Sequence, residues 1–242
     1  MTMQRTAEHR AAVSANPAPD KDAQWATFDC YGTLVDWRSG IRGELERLLG
    51  ADDGVRLLER YNEVEPRVQS EHPRTRYREV MAIVLAELAR EAGRELPAGE
   101  EDALGRSLPR WPVFTEVPDE LAQARRRGWK LVMLSNTDRD LIDTSIEAIG
   151  VPFSGAIVAS EVGSYKPAHG HWRTFYECTG ADPRRHVHVA QSHFHDIAPA
   201  TELGIRSLWI NRLGERAEPR PTAELPDLHG LADALDELVA SG

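Results

Sequence analysis

Five short apolar runs punctuate the chain: WATF from Trp25, KLVMLS from Lys130, GAIVAS from Gly155, HVHVAQ from His186 and SLWI from Ser207. Their length and bounding polar residues predict buried parallel strands. Between the later runs lie segments of helical character, Arg139 to Ile149 and Trp172 to Thr179. Strand and helix alternating in this way predict a doubly wound parallel α/β sheet. The interval between the first two strands is too long for one crossover. From residue 39 to 111 its apolar positions recur at threes and fours, as in Val80, Ile83, Val84 and Leu88, which predicts a wholly helical insert. An insert placed directly after the first strand is expected to form a cap over the carboxyl edge of the sheet. The pattern divides the chain into a flexible N-terminal arm (1–23), a core (24–38 and 112–242) and the cap (39–111). The Pro-rich AEPRPTAELP is expected to be a surface loop before a final helix.

Composition narrows the function classes. The chain has 242 residues, 41% of them hydrophobic, enough for one sizeable core or for a core with a modest insert. A formal charge of -10 argues against sequence-independent nucleic-acid binding. The basic run Arg125-Arg126-Arg127 is a local exception, read as the last turn of a helix, where cations suit the dipole. Two cysteines imply no disulfide framework and suit a reducing compartment. No apolar run approaches the roughly 20 residues of a membrane span, and no signal peptide opens the chain, so a cytoplasmic location is expected.

Ligands of a doubly wound sheet bind outside the carboxyl ends of its strands. Those ends here carry Asp29 and Tyr31, then Ser135 and Asn136, then Lys166, then Gln191, His193, His195 and Asp196. A carboxylate at the end of a buried strand is costly without a role. Asp29 is a candidate nucleophile: it needs no base at neutral pH, only positioning and partial desolvation. Lys166 would keep it ionised, while the turn through Gly32 and the Thr33 hydroxyl would supply donors. Ser135 and Asn136 offer a hydroxyl and an amide to a carboxylate. Taken singly, Ser135-Asn136 reads as a helix cap and Lys166 as a loop cation; together and in order they read as a site. Cys30 neighbours Asp29, but strand alternation turns its side chain to the opposite face.

FDCYGTLVD, LSNTD, GSYKP and QSHFHD occur in the order and spacing of the four motifs of the haloacid dehalogenase superfamily, which the chain resembles from about Trp25 onward. Tyr31, two residues after the nucleophile where phosphatases of the superfamily carry an acid, resembles the L-2-haloacid dehalogenase (type II) branch. FDCYGTLVDW, VGSYKP and HDIAPA are also similar to azetidine-2-carboxylate hydrolase. The resemblance implies a Rossmann-like core with a cap and a metal-independent, cofactor-free hydrolase, in which Asp29 forms an ester with a small 2-substituted carboxylic acid. Thr33, Ser135, Lys166 and Asp196 complete the implied catalytic set. Asp196 would activate or orient water, with His195 a second candidate base. Cys30, Tyr31, Asn136, Trp172, Gln191, His193 and His195 are the implied substrate contacts. From the cap, Arg60 would meet a halide or Glu63 a ring ammonium. Magnesium-dependent phosphatase chemistry and a non-catalytic binding module are the more distant alternatives, and a homodimer is compatible with the resemblance.

Overall fold

The computed structural model describes residues 16–240. Six strands, β1 (Trp25–Phe28), β2 (Lys130–Ser135), β3 (Gly155–Val158), β4 (His186–Ala190), β5 (Arg206–Ile210) and β6 (Ala223–Leu225), form one parallel sheet in the order β3-β2-β1-β4-β5-β6. Helices cover both faces, so the inner strands are buried on nearly every residue rather than on alternate ones. The five expected strands are all present. β6 is an addition within the expected surface loop: three partly exposed residues pairing with β5 as a short edge.

Ten helices occur among the described residues. Four of them, α1 (Trp37–Leu49), α2 (Gly54–Glu71), α3 (Tyr77–Glu91) and α4 (Ala103–Ser107), lie between Asp36 and Pro112. The others are α5 (Val117–Arg126), α6 (Arg139–Ile149), α7 (Ala159–Val162), α8 (Gly170–Thr179), α9 (Ala198–Glu202) and α10 (Leu231–Ala240). One sheet face packs Phe28, Met133 and Val189 against apolar residues of α5, α6 and α10. The opposite face packs Trp25, Val132 and Leu134 against Trp172 and Phe175 of α8 and Ala200 of α9.

The chain leaves the core and returns to it at one place. Asp36 N–H donates to the Pro112 carbonyl (2.7 Å), Phe114 N–H donates to the Leu34 carbonyl (3.1 Å), and Val35 bridges Val113. Asp36 also caps α1, accepting from Ser39 N–H (3.1 Å). The α3 N-terminus is capped from outside the insert: Asp138, after β2, accepts the backbone N–H groups of Tyr77 (3.2 Å) and Arg78 (3.1 Å). Of the expected arm, residues 1–15 lie outside the described part. Asp20 is already tied down, its carboxylate on Lys130 (2.6 Å) and its carbonyl on the Trp25 indole (2.9 Å). Among the described residues no helix is long and apolar enough to cross a membrane.

Candidate active site

β1 and β4 lie side by side at the point where strand order reverses, and a cavity of about 520 Å³ opens beyond their carboxyl ends. Asp29 follows β1 directly, anchored by its N–H on the Val189 carbonyl of β4 (3.0 Å). The chain then turns at Gly32, whose φ of 98° favours glycine. A Cβ there would stand 2.9 Å from Gln191 Oε1 and 3.1 Å from Trp37 Nε1. The turn brings Thr33 back beneath the nucleophile. Its hydroxyl donates to Asp29 Oδ2 (2.8 Å) and accepts the Gln191 N–H (2.9 Å), locking β1 and β4 ends together.

Lys166 is 1% exposed and reaches Asp29 Oδ1 (2.9 Å), Asp196 Oδ1 (2.7 Å) and the Leu134 carbonyl (2.8 Å). One ammonium thus serves two carboxylates. Burial would lower the lysine pKa, but the two acids outweigh it and raise it. The acids fare differently. Burial pushes Asp29 up, against the pull of Lys166. Burial would also raise Asp196, yet Lys166 and the His188 N–H hold it well below the usual carboxylate range. Asp196 is the permanent counter-ion, and Asp29 is left the more basic of the pair. Its 7% exposure is onto the cavity.

Two buried polar atoms at this cavity, Ser135 Oγ and Asp196 Oδ2, find no hydrogen-bond partner among the described residues. A bound ligand or water would satisfy them. Tyr31 lines the cavity with its hydroxyl on Ser145 Oγ (3.1 Å) and its ring edge-on to Trp111. Gln191, His193 and His195 also line it. His193 is tied to the Pro219 carbonyl (2.8 Å), and His195 pairs with Ser192 Oγ (3.1 Å). Burial lowers His195 to about 4, so its ring is neutral at pH 7 but a weak base.

The expected set needs four corrections, at Cys30, Trp172, Arg60 and Glu63. Cys30 is fully buried in the core, turned away from the cavity as strand alternation requires. Trp172 lies under the sheet, edge-on to His188 (5.3 Å), and touches no cavity wall. Asn136 does line the cavity, but its amide is occupied in bracing the Lys166 backbone, accepting its N–H (2.6 Å) and donating to its carbonyl (2.9 Å). Arg60 and Glu63 face solvent, paired with each other (2.6 Å), with Arg60 also on Glu91 of α3 (2.8 Å). At 100° per residue they fall opposite the buried stripe of α2, which runs through Leu57, Tyr61, Val64, Glu65 and Val68.

That stripe supplies what sequence reasoning missed. Tyr61, Glu65 and Gln69, spaced by four, reach the cavity from α2. Gln69 donates to Glu65 and accepts from Asn136 (3.4 Å), joining cap to core. Burial pushes Glu65 up to about 7, with Tyr77 and Gln69 as its donors. The available signal was polar residues in the phase of an apolar stripe. Arg38 also lines the cavity, its guanidinium 5.6 Å from the Trp37 ring and without an ion-pair partner among the described residues.

A divalent metal fits these donors poorly. Both Asp29 and Asp196 are bonded to an ammonium, and Tyr31 stands where a further acid would add a ligand. Among the described residues no three His, Cys, Asp or Glu side chains are grouped to hold a metal ion.

Residues 24–204 match the family model described as haloacid dehalogenase-like hydrolase. The (S)-2-haloacid dehalogenase of Pseudomonas sp. (strain YL) is 28% identical over 216 residues, covering 86% of this chain and 93% of that protein. The phosphoserine phosphatase of Thermus thermophilus is 32% identical over 153 residues, covering 61% and 60%. The L-2-haloacid dehalogenase of Xanthobacter autotrophicus, in its structure with chloropropionic acid covalently bound, superposes with a TM-score of 0.77 at 18% identity, covering 88% of this chain and 98% of that one. At that identity the likeness concerns the fold alone. Since the family model spans most of the chain, and with it every cavity-facing residue from Asp29 to Asp196, the chain belongs to the haloacid dehalogenase-like hydrolase family.

Proposed function

We propose that this hydrolase displaces the leaving group from C2 of a small carboxylic acid by attack of the Asp29 carboxylate. The observation that carries the reading is the nucleophile itself: a carboxylate held on both oxygens by Thr33 and Lys166, facing a cavity without a second acid at position 31. Attack forms an aspartyl ester, and the leaving group departs with the electron pair of its bond to C2. Water then adds to the ester carbonyl, regenerating Asp29 and releasing the 2-hydroxy acid. Asp196, with its free Oδ2, accepts a hydrogen bond from that water and orients it, and the proton the water gives up ends on the departing hydroxyl oxygen. Ser135 Oγ would donate to the substrate carboxylate. None of these steps draws on a metal, because Lys166 already compensates the carboxylates.

The names of the relatives favour a halide as the leaving group, with Arg38 a cavity-lining cation that has no ion-pair partner among the described residues. Glu65 favours a second reading. A buried carboxyl facing the cavity without a cationic partner suits a substrate bearing an ammonium, as in hydrolytic opening of an azetidine-2-carboxylate ring. Competing L-2-chloropropionate against azetidine-2-carboxylate on EDTA-treated protein tests both. Chloride release with inversion supports the first, and ring opening the second. Magnesium-dependent turnover of phosphate esters would sink both.

Asp29→Asn should fold normally and lose turnover, because the amide keeps the shape and removes the nucleophile. In single turnover in heavy-oxygen water, the wild-type Asp29 side chain should take up label. Label found only in product would exclude the ester.

A further inference from the structure

Beneath Asp196, on the sheet face away from Cys30, a continuous line of hydrogen bonds crosses the core. Asp196 Oδ1 meets His188 Nε2 (3.0 Å), His188 Nδ1 meets Thr27 Oγ1 (2.9 Å), Thr27 Oγ1 meets His186 Nε2 (2.8 Å), and His186 Nδ1 meets the Tyr176 hydroxyl (2.8 Å). Thr27, His186 and His188 are fully buried, while Tyr176 of α8 is half-buried. Register explains the line: Thr27 of β1 lies opposite His188 of β4, with His186 two residues behind on the same face. Trp172 and Phe175 clamp the two rings, at centroid distances of 5.3 Å to His188 and 4.6 Å to His186.

The donors in this line fix one another once the protons on one ring are set. Asp196 is an anion, held so by Lys166. With His188 as a singly protonated ring, its Nε2–H points to Asp196 and a lone pair is left on Nδ1. Only the Thr27 hydroxyl proton can fill that lone pair, so Thr27 must accept from His186 Nε2–H. His186 is then bare at Nδ1, and the Tyr176 hydroxyl must donate there. Tyr176 gives one proton, and His186, Thr27 and His188 each take one and give one, all in the same sense. Burial keeps His186 neutral, with its pKa well below the usual value, and burial with the nearby Asp182 raises the Tyr176 hydroxyl to about 12, so it remains a donor at all working pH.

We infer that Tyr176, His186, Thr27 and His188 form a one-way hydrogen-bond relay that holds Asp196 ionised, with its free oxygen aimed at the cavity. The four are positioning residues: they act through Asp196 and touch no substrate. The inference rests on the reading of Asp196 as the group that handles the hydrolytic water. The other titratable groups facing Asp196 are Lys166, Asp29, His171 and His195. Burial keeps His171 neutral, near 3, so it does not titrate in the range concerned.

Nitrogen-15 NMR of histidine-labelled full-length protein should find His186 and His188 both neutral and protonated on Nε2 at pH 7. Tyr176→Phe should release His186 from that single tautomer. Thr27→Val should lower kcat by about three- to tenfold at unchanged KM, the scale of one hydrogen bond to a charged group. In the same variant the nitrogen-15 shifts should show His188 released from its single tautomer, because the hydroxyl that fixes it is gone. Thr27→Ser keeps the hydroxyl and should restore both. A His188 proton on Nδ1 in the wild type would overturn the relay, as would ring tautomers left unmoved in both Thr27→Val and Tyr176→Phe. Absence of turnover on any small acid would count against the reaction instead, and the ring tautomers would still decide the relay.

Discussion

Glu65 shows how far one side chain can depart from its ordinary chemistry when neutral donors alone surround it. Its usual pKa is 4.5, and burial on the cap stripe raises it to about 7. The folded protein therefore holds the Glu65 proton more tightly than the unfolded chain does across that interval. Stability from this group is full below pH 4.5 and falls as pH rises through about 7, by roughly 3 kcal/mol in total. Glu65→Gln removes the titration. Its urea midpoint should match wild type at pH 5 and exceed it at pH 8. Equal midpoints at both pH values would mean that Glu65 has a partner that keeps it ionised. Asp29 and Asp196 illustrate the complementary case, in which one buried ammonium divides two acids into a nucleophile and a counter-ion.

At the scale of elements, α2 carries the division between surface and site on opposite faces. Arg60 and Glu63 form exposed ion pairs, so Arg60→Ala should leave kcat and KM within about twofold, since exposed pairs contribute little. Gln69→Leu cuts the contact between Glu65 and Asn136 and should lower kcat/KM about tenfold, the scale of one buried hydrogen bond. Steady-state kinetics on the better of the two test acids checks both. The strands were legible because burial on two faces makes an unmistakable apolar run, and α6 was bounded correctly by its periodicity. β6 was not legible, since three residues of AEL carry no strand pattern and pair only because β5 offers an edge. Strand-end residues such as Asp29, Lys166 and Asp196 could be placed because topology sends every strand end to one rim. Trp172 and Arg60 were misplaced for the opposite reason: one residue of rotation on a helix moves a side chain by 100°, and family spacing does not fix that phase. The His188 relay was hidden because two histidines in HVHVAQ read simply as part of a buried strand.

Across the whole molecule, function depends on how the four cap helices sit on the sheet. Asp138 of the core caps α3 of the insert, Arg78 returns to the same carboxylate (3.3 Å), and the Tyr165 hydroxyl donates to the Thr75 carbonyl (2.6 Å). An acid at a helix N-terminus satisfies orphan N–H groups and complements the dipole. Asp138→Ala should destabilise the fold by about 1–2 kcal/mol, the usual cost of a lost cap. Amide exchange should quicken first in residues 72–91, and KM should rise because the cavity roof is less firmly seated. Uniform exchange across cap and core would show that this contact does not govern docking.

The pairing of Asp36 with Pro112 and of Leu34 with Phe114 has a further consequence. The two ends of the insert meet at one point, so its length and contents are almost free of the loop-closure constraint imposed by the sheet. The nucleophile, its lysine and its histidine relay all belong to the part of the chain that such an exchange leaves untouched. The insert is therefore expected to exchange as a cassette. Grafting a relative's helices between positions 36 and 112 would re-address the same aspartate to a different molecule, and new specificities can arise by trading cassettes rather than by rebuilding the chemistry.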